Sequence, residues 1–144
     1  MASGESPARF ELLEHPADIG FRVFGRTLPE LFENAALALV SIAYEVESVT
    51  PESEYTLTAS GTDYESLLVA WLSEVLFWFD GKRIRFSRFR VDALVPGRMD
   101  AVGLGEPLDP LRHPTRLAVK AVTWHQLKIA ETPAGCMAEV YLDI

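Results

Sequence analysis

Residues 14–21, EHPADIGF, form a short turn between two runs of alternating apolar side chains. The alternating positions are Ala8, Phe10 and Leu12 before the turn, and Ile19, Phe21 and Val23 after it. A period of two is typical of β-strands. Since Pro16 disfavours a helical conformation at His15, the stretch predicts a turn that joins two strands.

The last strand of the chain is the predicted partner of this turn. Alternate residues face one way in it: Cys136, Ala138, Val140 and Leu142. Asp143 falls on the opposite face. Strands from both chain ends can meet in one sheet, so we expect Asp18 and Asp143 to come together in space and to hold a divalent cation.

Size and composition predict one globular domain in the cytoplasm. The chain has 144 residues, is 49% hydrophobic and carries a net charge of -8, which is too apolar for a disordered chain. It has one cysteine, no apolar signal segment and no apolar run long enough for a membrane helix. We expect a flexible tail at residues 1–7 and a single domain at residues 8–144.

The acidic charge argues against strong direct binding of nucleic acid. A basic strip at residues 82–90 is an exception. Its simplest interpretation is the solvated face of a strand with alternate apolar residues inward; the alternative is a docking patch.

Two segments have the apolar spacing of helices. The first is predicted from Leu28 to Tyr44, with Thr27 and Glu30 as a capping box. The second follows a similar Thr62–Glu65 pair and is apolar around much of its circumference, so it is either buried between layers or exposes aromatic residues to a partner. Strands are predicted at 55–60, 83–94, 99–104, 117–124 and 127–131, with a proline-rich loop at 105–115. The sequence therefore predicts an α+β fold: a single two-layer domain with a mixed or antiparallel sheet and two main helices packed on it.

The common catalytic and nucleotide-binding motifs are absent from the sequence. There is no phosphate-binding loop, dinucleotide fingerprint or nucleophile elbow. Cys136 is expected to be a small core residue. The histidines at 15, 113 and 125 lack metal-type spacing, and a structural role is the simpler interpretation for each.

Carboxylates are the better candidates for chemistry. Hard cations take oxygen ligands, and Asp18, Asp143 and an oxygen of Ile144 could supply three. Spacing alone leaves simpler roles open: an Asp that bonds its own turn and a solvated chain end. Glu74, between two tryptophans on the second helix, and Lys120, in a strand, are further candidates that could equally point to solvent.

Three blocks of the sequence resemble the archease family. They are LEHPADIGFRVFGRTLPELFENAALAL (13–39), SLLVAWLSEVLFWF (66–79), and GEPLDPLRHPTRLAVKAVTWHQLKI (105–129) together with YLDI (141–144). The resemblance implies a non-enzymatic cofactor of the GTP-dependent RNA-splicing ligase, which promotes guanylation and multiple turnover of that ligase in tRNA splicing or RNA repair. It also implies a divalent metal, calcium in the first place with magnesium or manganese as alternatives.

The resemblance assigns site residues by position. The metal ligands fall on Asp18, Asp143 and Ile144, and supporting roles fall on Glu14, His15, Glu74 and Lys120. This sequence has Glu14 where the family usually has Asp and Pro16 where it usually has Thr, which puts the geometry of the turn in doubt.

Two other functions stay open from the residues. A chaperone-like scaffold would use the aromatic second helix, so Trp78 would matter more than Asp18. A small metal-dependent hydrolase would use His15, Glu74 or Asp18 with an activated water.

Overall fold

A computed structural model describes residues 9–15, 18–124 and 127–144, without the side chains of residues 14, 15 and 18. The predicted tail at residues 1–7 lies outside the described residues. In chain order the elements are β1 (Phe10–His15), β2 (Asp18–Gly25), α1 (Leu28–Ala43), a 3-10 turn (Val46–Ser48), β3 (Ser53–Ser60), α2 (Tyr64–Leu76), a π-helix (Phe77–Gly81), β4 (Ile84–Val95), β5 (Arg98–Pro107), β6 (Ala121–Val122), β7 (Ile129–Thr132) and β8 (Gly135–Asp143).

The strands form two antiparallel sheets. The first has the order β1-β2-β8-β6, with β7 also paired to β8, and the second has the order β3-β5-β4. The α+β class with two main helices is confirmed. The strands divide between two sheets, however, rather than forming the one sheet expected, because β3, β4 and β5 pair only with one another.

Both helices pack against both sheets. Helix α1 contacts β2 of the first sheet and β4 of the second, while α2 contacts β6 and β3. This arrangement explains why α2 is apolar on so many sides. Trp71 of α2 is fully buried, and its indole N–H donates to the carbonyl of Phe32 in α1 at 2.9 Å.

The start of α1 agrees with the sequence pattern. The Thr27 hydroxyl accepts a hydrogen bond from the Glu30 N–H at 3.3 Å, which satisfies one of the free donors of the first turn. The Glu30 carboxylate reaches back to the N–H of Arg26 at 2.7 Å, one residue earlier than in a standard capping box.

The start of α2 differs from the prediction. Asp63, not Thr62, is the N-cap: its carboxylate accepts from the Ser66 N–H at 2.8 Å, and the Ser66 hydroxyl accepts from the Asp63 N–H at 3.0 Å. The predicted partner Glu65 instead accepts from the Ile129 N–H at 3.2 Å. It therefore links α2 to β7, a long-range role that the local pattern could not reveal.

The basic strip and the region before β7 also depart from expectation. A β-bulge between Phe86 and Arg88 interrupts the alternation of β4. Arg85, which precedes the bulge, is buried against Tyr44 and Phe79 instead of solvated. The strand predicted at 117–124 is reduced to the two residues of β6. None of the helices in the described part of the chain is long and apolar enough to span a membrane.

Candidate functional site

The backbone register of the first sheet places Asp18 directly opposite Asp143. Asp18 pairs with His15 of β1 on one side and with Asp143 of β8 on the other, and Asp143 in turn pairs with Ala121 of β6. Four strands thus end side by side at this point. Two aspartates separated by more than a hundred residues in sequence are brought together, as the sequence suggested.

Lys120 and Ile144 lie at the same end of the sheet. The N–H of Lys120 donates to the carbonyl of Asp143 at 2.8 Å, which attaches the segment before β6 to the end of β8. Asp143, Lys120 and Ile144 are all exposed. No ion pair joins the described side chains of Lys120 and Asp143, so both are accessible to a ligand or a partner.

Core packing and a close contact fix the register of β2 against β8. The inward residues of β8 are buried, as predicted, at Cys136, Ala138, Val140 and Leu142. On the opposite face, a Cβ added at Gly20 would come within 2.6 Å of the Tyr141 ring. Glycine at this position therefore lets the Tyr141 ring lie across β2, two residue pairs from the paired aspartates.

Of the remaining candidate residues, only Glu74 has a described side chain. The side chains of Glu14 and His15 are not described, and His125 lies outside the described residues. Glu74 accepts a hydrogen bond from the Trp78 indole N–H at 2.9 Å, and no hydrogen bond or ion pair joins it to the described Asp143 or Lys120. Among the side chains that the structure describes, which exclude that of Asp18, no three acidic, histidine or cysteine groups form a metal cluster.

A buried ionic cluster around Glu106 is a feature that the sequence did not reveal. The Glu106 carboxylate accepts from the Thr50 N–H at 2.8 Å, from Arg112 Nη2 at 2.7 Å and from His113 Nε2 at 2.9 Å. These bonds, that of Thr50 foremost, outweigh desolvation and lower the pKa of Glu106 to about 2. The carboxylate therefore stays ionised inside the protein.

The same cluster fixes the loop that leads to Lys120. His113 is buried, and its Nδ1 accepts from the Asp109 N–H at 2.8 Å. The ring is therefore neutral, and its Nε2–H donates to Glu106. Further along, Arg116 N–H donates to the carbonyl of Ala43 at the end of α1 at 2.8 Å. His113 thus has the structural role expected of it.

Comparison with known proteins identifies the chain's relatives. Residues 10–144 match the model of the Archease protein family. Proteins named archease from Methanosarcina acetivorans and Methanosarcina mazei are 41% and 39% identical to it over 140 residues, covering 94% of this chain and 96% of each relative.

Solved structures agree with this assignment. The solution structure of a protein from Methanobacterium thermoautotrophicum has a TM-score of 0.82 and 34% identity, and covers 94% of this chain and 99% of that one. The crystal structure of an archease from Thermotoga maritima, described as a possible chaperone, has a TM-score of 0.59 at 17% identity with full coverage of both chains, and shows the shared fold alone. The chain belongs to the Archease protein family.

Proposed function

We propose that this protein is a non-enzymatic cofactor of a GTP-dependent RNA-splicing ligase, which promotes guanylation and multiple turnover of that ligase in tRNA splicing or RNA repair. The observation that carries the proposal is the pairing of Asp18 with Asp143 at one exposed end of the first sheet, in a member of the Archease family. The acidic chain, with a net charge of -8, suits a positively charged ligase cleft better than RNA itself.

The proposed site would bind a divalent metal, calcium in the first place. Directly opposed residues of an antiparallel pair have Cβ atoms about 4.5–5.5 Å apart, a separation at which two carboxylates can share one cation. Asp18, Asp143 and an oxygen of Ile144 would be the ligands. Calcium, magnesium and manganese all bind oxygen ligands. The metal would supply a local positive charge at the contact with the ligase.

Other residues near the proposed metal site would have supporting roles. Lys120 is attached by its N–H to the carbonyl of Asp143, so its ammonium group would balance the carboxylates or contact the ligase directly. Glu14 and His15 belong to the end of β1 that pairs with β2. Glu74 would act indirectly, because its hydrogen bond orients Trp78.

Metal binding and ligase stimulation should fail together when the pair is broken. Calcium titration by calorimetry should give one site in the wild type, and at least tenfold weaker binding in Asp18→Asn and Asp143→Asn. Asp92→Asn is the matched control, because Asp92 is an exposed strand aspartate that is paired with Arg90. Equal calcium affinity in all four proteins would disprove the metal site.

The ligase assay tests the cofactor role directly. The cognate ligase with GTP and manganese would be measured alone, with the wild type, and with Asp18→Ala. We expect multiple turnover only with the wild type. An active ligase whose rate the wild type does not change would disprove the cofactor role.

A chaperone-like scaffold is the second candidate, favoured by one observation. The Phe77 side chain is 55% exposed at the end of α2, a large apolar group available to a partner. In this case the protein would suppress aggregation of an unfolded client, and Phe77→Ala would abolish the effect while Asp18→Ala would not.

A further inference from the structure

A π-helical turn gathers aromatic and cationic side chains at the end of α2. The N–H of Lys82 donates to the carbonyl of Phe77, five residues earlier, at 3.1 Å. This wider turn brings Lys82 back over the two aromatic rings that precede it. Its ammonium nitrogen lies 3.8 Å from the ring centroid of Trp78 and 5.6 Å from that of Phe77. We call Phe77, Trp78, Lys82 and Arg83 the aromatic–cation ledge.

Contacts with neighbouring residues fix the orientation of the two aromatic rings of the ledge. Trp78 donates to Glu74 at 2.9 Å and packs edge-on against Tyr55, with centroids 5.7 Å apart. The ring of Phe77 lies against Gly81, where an added Cβ would come within 3.2 Å of it. Phe77 is nevertheless 55% exposed. A fixed, exposed aromatic ring is the kind of group that dominates binding energy at protein interfaces.

The two cations of the ledge extend into solvent. Lys82 and Arg83 are exposed, and neither forms an ion pair within the described part of the chain. Two other arginines of the same sheet are neutralised: Arg90 by Asp92 at 2.7 Å, and Arg98 by Asp100 at 3.1 Å. The ledge therefore offers free positive charge on a protein whose net charge is -8.

Arg85 adds a third positive charge directly behind the ledge. It is buried, and its Nη1 donates to the carbonyl of Phe79 in the π-helix at 2.6 Å, while its Nε has no hydrogen-bond partner among the described residues. The acidic residues beside it are Asp80, whose charge acts on it, and Glu106, its register partner in β5, which already binds Arg112 and His113. Arg85 therefore adds to the positive charge that Lys82 and Arg83 present.

The backbone at the ledge is held in an unusual conformation. Arg83 has a φ of 61°, a region that residues other than glycine seldom occupy. Its carbonyl accepts from the Leu108 N–H at 2.8 Å, which fixes this conformation from the β5 side. Strained backbone and π-helical turns both occur preferentially at functional sites.

We infer that the aromatic–cation ledge is a second docking surface, which binds an acidic segment of the partner protein through its carboxylates and one apolar side chain. The inference rests on the proposed function, in which that partner is the ligase. Carboxylates would pair with Lys82 and Arg83, and the apolar side chain would cover Phe77. A short protein segment is favoured over RNA because the ledge offers two exposed cations and one exposed apolar ring, whereas nucleic-acid binding rests on many phosphate contacts.

The test measures the affinity of the full chain for the ligase by biolayer interferometry. We expect Phe77→Ala and Lys82→Glu each to weaken binding at least tenfold while calcium affinity stays unchanged. Val95→Ala is the apolar control, because Val95 is also 55% exposed but lies at the far end of β4. Arg88→Glu is the charge control, because Arg88 is an exposed cation of the same strand. Both controls should bind as the wild type does.

The outcomes separate this inference from the proposed function. A wild type that neither binds nor stimulates the ligase removes the proposed function and this inference with it. If the wild type stimulates the ligase and Phe77→Ala and Lys82→Glu bind as tightly as it does, the inference alone is wrong. An equal loss in Arg88→Glu and Lys82→Glu would show general charge attraction instead of a docking surface.

Photo-crosslinking identifies the occupant. With p-benzoylphenylalanine in place of Phe77, the crosslink should map to one ligase segment that contains several carboxylates and an apolar residue. A crosslink to RNA, or to a ligase segment without carboxylates, would contradict the inference.

Discussion

Replacing Glu106 by glutamine should destabilise the protein in a way that depends strongly on pH. The substitution keeps the shape of the side chain and removes its charge. It leaves Arg112 and His113 without the carboxylate that accepts their hydrogen bonds at 2.7 and 2.9 Å. Arg112 is half exposed and can be hydrated again, so the cost comes from losing the charge-assisted hydrogen bonds to the buried carboxylate.

The magnitude follows from the pKa of the carboxyl group. Its pKa is about 2 in the folded protein, against a usual value of 4.5. At about 1.4 kcal/mol for each pKa unit between the two values, the ionised carboxylate contributes about 3 kcal/mol to the free energy of unfolding at neutral pH. Because the folded pKa is the lower one, this contribution is complete above about pH 4.5 and is lost as the pH falls toward 2; about half remains at pH 3.

Urea denaturation of wild type and Glu106→Gln between pH 7 and pH 3 measures this difference. We expect about 3 kcal/mol at pH 7, shrinking toward pH 3. Glu139→Gln is the control: Glu139 pairs with Arg22 at 2.7 Å, but both side chains are about a third exposed, so its loss should cost less than about 1 kcal/mol. A wild type–variant difference that stays constant with pH would refute the reasoning.

Three further substitutions test the local structure. Asp63→Ala should cost about 1 kcal/mol of unfolding free energy in urea titrations and Thr62→Ala clearly less, since Asp63 is the N-cap of α2. Tyr44→Phe removes a buried hydroxyl that accepts from the Phe86 N–H at 2.7 Å and donates to its carbonyl at 3.0 Å; we expect a loss of about 1–3 kcal/mol and faster hydrogen exchange at the Phe86 amide. Gly135→Ala should lower the melting temperature, because φ at this position is 142° and a Cβ would collide with the Gly25 carbonyl.

Local periodicity accounts for the elements that were predicted well. The apolar spacing from Leu28 onward predicted a helix to Tyr44, and α1 ends one residue earlier, at Ala43. The alternation of β8 likewise predicted the burial of Cys136, Ala138, Val140 and Leu142, although Tyr141 of the opposite face is buried as well. In both cases one side of a single element carries the whole signal, so the sequence of that element is sufficient.

Long-range partners account for what the sequence could not show. Glu106 appeared to belong to a proline-rich loop, but it lies at the end of β5 and binds Thr50, which is 56 residues away. Arg85 followed the basic alternation of its strand, but it is buried where its guanidinium donates to the Phe79 carbonyl of the π-helix. In the sequence, the one sign of the Glu106 cluster was the pair Arg112 and His113 in the proline-rich loop.

The pairing of Asp18 with Asp143 depends on the same constraint that builds the core. A slip of one residue between β2 and β8 would turn Val140 and Leu142 toward solvent, and it would also move Asp18 off Asp143. The buried residues therefore enforce the register that the proposed site requires. Asp143 itself is exposed and adds nothing to that packing. Its substitution should leave the fold intact, so a loss of metal binding or ligase stimulation in Asp143→Asn can be attributed to the site.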